Sequence, residues 1–125
     1  MSNAKDERRP AGELEAAVMA ALWAADIPLT PGRVQSEIAS GLARTTVSTI
    51  LSRLYDKGIV DRRPQGRGYA YYPVQDAAGL TARRMHTELD RDRDSDRETV
   101  LARFVAQLKR DDEQLLRQLL EADER

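Results

Sequence analysis

Small hydroxyl side chains and arginine share one face of a stretch near the middle of the chain, RTTVSTILSRLYDKGIVDRR (residues 44–63). Apolar residues recur through this stretch at helical spacing and predict a helix with one buried stripe: Val47, Ile50, Leu51 and Leu54. Hydroxyls donate and accept hydrogen bonds, and the arginine guanidinium binds anionic and carbonyl oxygens. The polar face of this helix is therefore suited to binding.

A basic segment follows the helix directly. IVDRR (59–63) predicts a strand, PQGRG (64–68) a turn and YAYYPV (69–74) a returning strand. Residues 44–68 contain six basic and two acidic side chains, a local net charge of +4, although the whole chain has a formal net charge of −1. A basic patch on a nearly neutral protein indicates an anionic partner for that patch.

Double-stranded DNA is a partner that explains both features, because one α-helix fits the major groove. Hydroxyls bond phosphates or base edges, and threonine methyls contact thymine. On the hairpin, Arg62, Arg63 and Arg67 are expected to lie over the adjacent backbone or minor groove. The candidate DNA-binding residues are Arg44, Thr45, Thr46, Ser48, Thr49, Arg53, Arg63 and Arg67. A purely solubilising hydroxyl face, or one that docks a protein, is the alternative that the residues leave open.

Two further helices are predicted before this one. GELEAAVMAALWAAD (12–26) has a helical apolar stripe, and TPGRVQSEIASG (30–41) begins with Thr30 as N-cap and Pro31 in the first helical position. Gly41 is the predicted end of the second helix. The predicted order is therefore three helices followed by a β-hairpin.

From residue 76 onward the chain has no strand pattern and no proline. Asp76 is predicted to cap a helix, and the pairs Ser95–Glu98 and Asp111–Gln114 match the capping-box spacing for two more. Little chain remains to cover the apolar positions of this region, which favours contact with a second copy over folding back on the first domain. The candidate dimerisation residues are Leu89, Val100, Leu101, Phe104, Val105, Leu108, Leu115, Leu116 and Leu119.

Composition argues against several classes of protein. The chain has no cysteine and one histidine, His86, and it lacks a glycine-rich phosphate loop, so we expect neither an enzyme nor a metal or other cofactor. The alternating charges of DRDRDSDR (90–97) are typical of a solvated segment and lack the glycine turn of a calcium loop. No apolar run reaches the roughly 18 residues of a membrane span, so the expected location is the cytoplasm.

Three motifs, in this order, resemble the BlaI/MecI (penicillinase repressor) family of bacterial winged-helix regulators. GELEAAVMAALW is similar to the first helix of the family and ends in the Leu22–Trp23 pair. TTVSTILSRLYDKGIV matches the recognition-helix pattern T-[VI]-x-T-hydrophobic-L-x-R-L…K-G, and GRGYAYYP matches the wing pattern G-R-x-Y-x-Y-x-P. The resemblance extends from about Gly12 to Glu121.

The resemblance implies a homodimer that binds a dyad-symmetric operator of double-stranded DNA and blocks transcription. It implies recognition-helix contacts by Thr46, Ser48, Thr49 and Arg53 and a wing contact by Arg67. It also implies that the C-terminal helices form the dimerisation region, where two chains interlock.

At several positions this chain lacks residues that are common in the family. Many members respond to a membrane-bound sensor metallopeptidase system that leads to cleavage of an Asn-Phe bond, and here Arg103 precedes Phe104. Arg44 stands where relatives often carry an aromatic residue, and Ala70 where a wing arginine is common. Because the chain has no cysteine, the cysteine motif of the copper-responsive branch is excluded.

The sequence predicts a mainly α protein with a small β-hairpin (α+β). Residues 1–10 are expected to be disordered or tag-derived, residues 11–75 to form a winged helix-turn-helix DNA-binding domain, and residues 76–125 a helical dimerisation domain. The recognition helix spans about 44–57 and the wing about 60–73. Alternative functions are a winged-helix module for protein–protein assembly and an effector-responsive regulator of a MarR-like family.

Overall fold

A computed structural model describes residues 11–38, 41–91 and 96–123. Within them the chain forms six helices and one antiparallel hairpin, which confirms the mainly helical prediction. The elements are α1 (Ala11–Ala24), α2 (Pro31–Glu37), α3 (Arg44–Asp56), β1 (Val60–Gln65), β2 (Gly68–Pro73), α4 (Ala77–Asp90), α5 (Arg97–Ala106) and α6 (Arg110–Asp123). The chain divides into two compact units, with the boundary between Ala82 and Arg83.

The first unit has a hydrophobic core to which α1, α2, α3 and both strands contribute. The predicted stripe of α3 is buried along its whole length, and Val47, Leu51 and Leu54 have no exposed surface. Their burial turns the opposite, polar face of α3 to solvent. The core residues are Val18, Met19, Leu22, Leu29, Val34, Val47, Ile50, Leu51, Leu54, Val60, Tyr71 and Leu80.

The turn between α2 and α3 sets where α3 begins. Thr30 caps α2 as predicted, with its hydroxyl accepting a hydrogen bond from the Arg33 N–H at 3.3 Å. The predicted end at Gly41 is wrong, because Ile38 leaves the helix in an extended conformation (φ −97°, ψ 114°) and packs against the core. The Gln35 side chain then donates to the Leu42 carbonyl at 2.9 Å and braces the turn.

An isolated β-bridge pairs the hairpin with the segment between α1 and α2. Leu29, between α1 and α2, exchanges two backbone hydrogen bonds with Tyr71 of β2, at 2.8 and 2.9 Å. The strands extend further toward the tip than predicted, to Gln65 and from Gly68, which leaves Gly66 and Arg67 as the turn. Gly66 has φ +63°, a conformation that glycine adopts without steric cost.

The start of α4 is anchored to the first unit. The Asp76 carboxylate accepts a hydrogen bond from the Gly79 N–H at 2.8 Å, which confirms the predicted cap. The Trp23 indole N–H donates to the Gln75 carbonyl at 2.8 Å, and the Leu80 side chain is buried in the core. Residues 75–80 therefore belong structurally to the first unit.

In the second unit, α5 is capped by Asp96, whose carboxylate accepts a hydrogen bond from the Thr99 N–H at 3.2 Å. Hydrogen bonds from the Thr99 hydroxyl and then the Thr99 N–H hold the pKa of Asp96 below its ordinary value. The predicted cap Ser95 lies outside the described residues. The prediction that Asp111 caps α6 is wrong, since α6 begins at Arg110 and Asp111 lies in its first turn, where an acid complements the helix dipole.

Neither α5 nor α6 has a fully buried residue. Several large apolar side chains of these helices are about half exposed, and Phe104 has 47% of its surface accessible. Leu89, Leu108 and Leu116 are half-buried. Of the described helices, none is both long and apolar enough to cross a membrane. The exposed large apolar residues of α5 and α6 are Val100, Leu101, Phe104, Val105, Leu115, Leu119 and Leu120.

Candidate nucleic-acid interface

The solvent-facing side of α3 has the hydroxyl and arginine side chains that the sequence places there. Thr45, Thr49 and Arg53 are exposed, whereas Thr46 and Ser48 are half-buried. Because the opposite side of the helix is held in the core, this face is rigidly presented. Its residues are short or flexible, so a flat or convex ligand can approach the helix closely.

A shallow groove of about 260 Å³ runs between α1 and α3 and collects four of the predicted contact residues. Across it, the Glu15 carboxylate of α1 forms a salt bridge with Lys57 at 3.1 Å, so the acid is paired rather than free to repel an anion. Ser48 does not line this groove. The lining residues are Leu14, Glu15, Thr45, Thr46, Thr49, Ile50 and Arg53.

Thr49 is more restricted in its chemistry than an ordinary exposed threonine. Its hydroxyl donates a hydrogen bond to the Thr45 carbonyl one turn earlier, at 2.9 Å. This bond occupies the donor and leaves the hydroxyl oxygen as an acceptor, with the methyl group beside it. In this rotamer Thr49 suits an N–H donor or an apolar partner and does not suit a phosphate oxygen.

The N-terminus of α3 is a feature that the sequence analysis did not anticipate. Its N-cap is Ala43, which provides no side-chain hydrogen bond, so the first backbone N–H groups of the helix point outward without intrahelical partners. Arg44 is exposed next to them, with its guanidinium lying against Gly32 of α2. Free N–H groups, the positive end of the helix dipole and an arginine together favour an anion such as phosphate. The signal that could have revealed this is the absence of any capping residue at position 43.

The three arginines of the hairpin lie in different surroundings. Strand register puts Arg62 opposite Tyr71 and Arg63 opposite Ala70, so successive arginines face opposite sides of the ribbon. Arg67 is exposed at the tip. Arg63 is also exposed, and it lines a cleft with the segment Ala25–Pro28 and with Tyr72. Arg67 is therefore the hairpin arginine best placed to reach a ligand beyond the tip.

Arg62 lies against aromatic rings, an environment that the sequence did not predict. Its guanidinium carbon lies 3.9 Å from the ring centre of Tyr55 and 4.1 Å from that of Tyr69. A side-chain hydrogen bond with Tyr71, opposed by partial desolvation, raises the pKa of Arg62 above its ordinary value. On the other face of the ribbon, desolvation and then the Asp61 carboxylate raise the pKa of Tyr72.

The sequence of this chain matches a known protein family. The family model described as "Penicillinase repressor" matches residues 11–122. The chain belongs to the penicillinase repressor family. It is 36% identical over 112 residues to proteins named "Transcriptional regulator BlaI" from two strains of Mycobacterium tuberculosis, CDC 1551 / Oshkosh and ATCC 25618 / H37Rv. That alignment covers 87% of this chain and 81% of each relative. The family resemblance predicted from the three sequence motifs is thereby confirmed.

Solved structures show partial similarity to this member of the penicillinase repressor family. The PcaV transcriptional regulator from Streptomyces coelicolor, solved with its natural ligand, has 26% identity and a TM-score of 0.44, over 86% of this chain and 70% of PcaV. A MarR family protein from Bacillus stearothermophilus has 16% identity and a TM-score of 0.41, over 98% of this chain and 88% of that protein.

Substituting Ala43 by aspartate in this penicillinase repressor homologue should change stability and DNA affinity in opposite directions. An aspartate N-cap satisfies a free N–H of α3 and is expected to stabilise the fold by about 1 kcal/mol. The same carboxylate occupies the anion site and repels phosphate, so DNA affinity should fall. Urea unfolding and fluorescence anisotropy measure the two effects.

Ala43→Ser is the matched control, because it provides a cap without a charge. It should share the gain in stability and lose less affinity than Ala43→Asp. Equal affinities for the two variants would show that no phosphate approaches the start of α3.

Proposed function

We propose that this protein acts as a homodimer on a dyad-symmetric DNA operator, with α3 in the major groove and the hairpin tip over the adjacent backbone or minor groove. As a member of the penicillinase repressor family, the chain is a DNA-binding transcriptional repressor. The observation that carries the detailed proposal is the polar face of α3, which the buried core holds outward beside an uncapped helix N-terminus. The proposed contacts are Arg44, Thr45, Thr46, Ser48, Thr49, Arg53, Arg63 and Arg67.

Two chemical roles can be distinguished among these contacts: binding of phosphates and reading of bases. Arg53, Arg67 and the first N–H groups of α3 supply donors and positive charge, which suit phosphates and position the protein. Thr49 has its donor engaged and offers an acceptor oxygen and a methyl group. An acceptor recognises the amino group of cytosine or adenine, and a methyl group contacts that of thymine. We therefore assign Thr49 to base reading.

Dimerisation through the second unit is supported by its exposed apolar side chains. Soluble monomers rarely expose large contiguous apolar patches, and symmetric homodimers are the commonest way to cover them. We propose residues 11–75 as the DNA-binding domain and residues 76–125 as the dimerisation domain, with the start of α4 as far as Ala82 forming part of the first compact unit. The proposed interface residues are Leu89, Val100, Leu101, Phe104, Val105, Leu108, Leu115, Leu116 and Leu119.

Release from DNA by a sensor metallopeptidase system would require cleavage at a peptide bond other than Asn-Phe in this chain. Arg103 precedes Phe104, so the Asn-Phe bond of the family pattern is absent at this position. The partners that we propose are operator DNA and a second copy of the chain, acting in the cytoplasm.

Selection from a pool of random duplexes, followed by anisotropy at several salt concentrations, tests this function. We expect a two-fold symmetric site to be enriched. Arg53→Ala should weaken binding and reduce the salt slope by roughly 0.9 for each phosphate that is no longer neutralised. Thr49→Ala should relax base preference, at a cost of about 1–3 kcal/mol for each base that it no longer reads, and leave the slope unchanged.

The chain offers matched controls for both substitutions. Thr87 of α4 makes the same hydroxyl bond to a carbonyl one turn earlier, at 3.0 Å, and Arg117 of α6 is exposed and is not among the proposed interface residues. Thr87→Ala and Arg117→Ala should leave DNA binding unchanged. If no site is enriched and Thr49→Ala and Arg53→Ala have no effect, the face of α3 docks a protein instead.

A further inference from the structure

One arginine of the hairpin lies between two aromatic rings from different elements. Tyr55 comes from the last turn of α3, and Tyr69 is the second residue of β2, two positions after Arg67. The Arg62 guanidinium lies 3.9 and 4.1 Å from their ring centres. A planar guanidinium stacks on aromatic faces by cation–π attraction and by contact. Through these contacts Arg62 connects the end of α3 to the distal part of the hairpin.

The hairpin is also attached to the rest of the first unit nearer its base. The bridge from Leu29 is to Tyr71, and Val60 is buried at the start of β1. Ala70, the next residue toward the tip, is also buried. Beyond it the ribbon has two strands, and an isolated two-stranded hairpin is only marginally stable in water. Among the described contacts, the stacking of Arg62 is what ties the part of the ribbon around Tyr69 to α3.

We propose that Arg62 is a positioning residue for DNA binding, which holds the hairpin against α3 so that Arg67 reaches DNA in register with the bases read by α3. This inference rests on the proposed function. It gives Arg62 a role other than the direct DNA contact suggested by the sequence, because its guanidinium lies against the rings of Tyr55 and Tyr69. Arg67, exposed at the tip, makes the contact that Arg62 positions.

The geometry requires arginine specifically. A lysine at position 62 keeps the positive charge and much of the length of the side chain, but its ammonium has no plane to stack between two rings. A phosphate contact tolerates that exchange, whereas the stacked arrangement does not. Arg62→Lys therefore separates positioning from charge. Tyr69→Phe keeps the ring and removes only the hydroxyl, so it is the matched control.

A double-mutant cycle of Arg62→Lys and Arg67→Ala, measured by anisotropy on the selected operator, tests the proposal. We expect Arg62→Lys alone to lower affinity by about tenfold and Tyr69→Phe to change it by less than about twofold. In the Arg67→Ala background, Arg62→Lys should cost less than about twofold more, because the arginine that it positions has already been removed. Thermal unfolding of each variant checks that the fold is retained.

Amide hydrogen exchange of the free protein provides a readout that needs no DNA. Arg62→Lys should speed exchange of the Gly68 and Ala70 amides, at paired positions near the tip, and leave exchange in α1 unchanged, whereas a general loss of stability would speed both. Unchanged exchange at the tip would overturn the proposal.

The binding data distinguish the remaining outcomes. Full affinity in Arg62→Lys, or equal losses from Arg62→Lys in both backgrounds, would show that Arg62 does not act through Arg67 and would overturn the proposal. If the unaltered protein shows no salt-dependent DNA binding and Arg67→Ala has no effect, the proposed function itself fails, and the inference fails with it.

Discussion

Replacing Phe104 with glutamate is expected to disrupt the proposed dimer and to lower operator affinity by about a hundredfold or more. Phe104 lies within the exposed apolar set of α5 and α6, with 47% of its surface accessible in the single chain. A carboxylate at this position would have to be buried without a partner if the two copies associated. Sedimentation velocity and anisotropy, at the same protein concentrations, measure the two losses.

Ala102→Glu is the matched control for this substitution. It adds the same charge to α5 at an exposed position two residues earlier, which helical geometry turns away from Phe104. Its dimerisation and operator affinity should match those of the unaltered protein. A Phe104→Glu protein that remains dimeric at micromolar concentration would contradict dimerisation through α5.

Substituting Leu51 by alanine is expected to destabilise the protein by about 2–5 kcal/mol, because it leaves a cavity in a packed core. Leu51 has no exposed surface and lies on the buried side of α3, packed with residues of the other elements. The loss should appear as a lower midpoint in urea unfolding followed by circular dichroism. Operator affinity should fall only in proportion to the unfolded fraction.

Ser52→Ala is the adjacent control, since Ser52 is exposed on the same helix. It should change the free energy of unfolding by no more than about 0.5 kcal/mol. A Leu51→Ala protein that loses less than about 1 kcal/mol would mean that α3 is not packed as described. In that case the polar face of α3 would lack the rigid support on which the DNA-binding proposal depends.

Features that depend on near neighbours in the chain could be predicted from the sequence. The buried stripe of α3, the Thr30 and Asp76 caps, and the order of three helices and a hairpin all follow from local periodicity and capping chemistry. The three family motifs were also sufficient to identify the family. These signals lie within windows of a few turns, so no long-range packing is needed to interpret them.

Features that depend on tertiary contacts could not be predicted in the same way. The end of α2 is set by Ile38 packing into the core, and the role of Arg62 depends on the rings of Tyr55 and Tyr69 that the fold brings together. Helical spacing places Thr49 on the polar face, but its hydrogen bond to the Thr45 carbonyl depends on a rotamer choice. Sequence patterns identify such residues and do not reveal what they contact.

The hydrogen bond between Trp23 and the Gln75 carbonyl has an optical consequence. Trp23 is the single tryptophan of the chain, it is half-buried, and its indole N–H is engaged by the segment that leads into α4. Intrinsic fluorescence excited at the indole band therefore comes from this one junction. A red shift in its emission reports that water has entered between α1 and residues 75–80, without any attached dye.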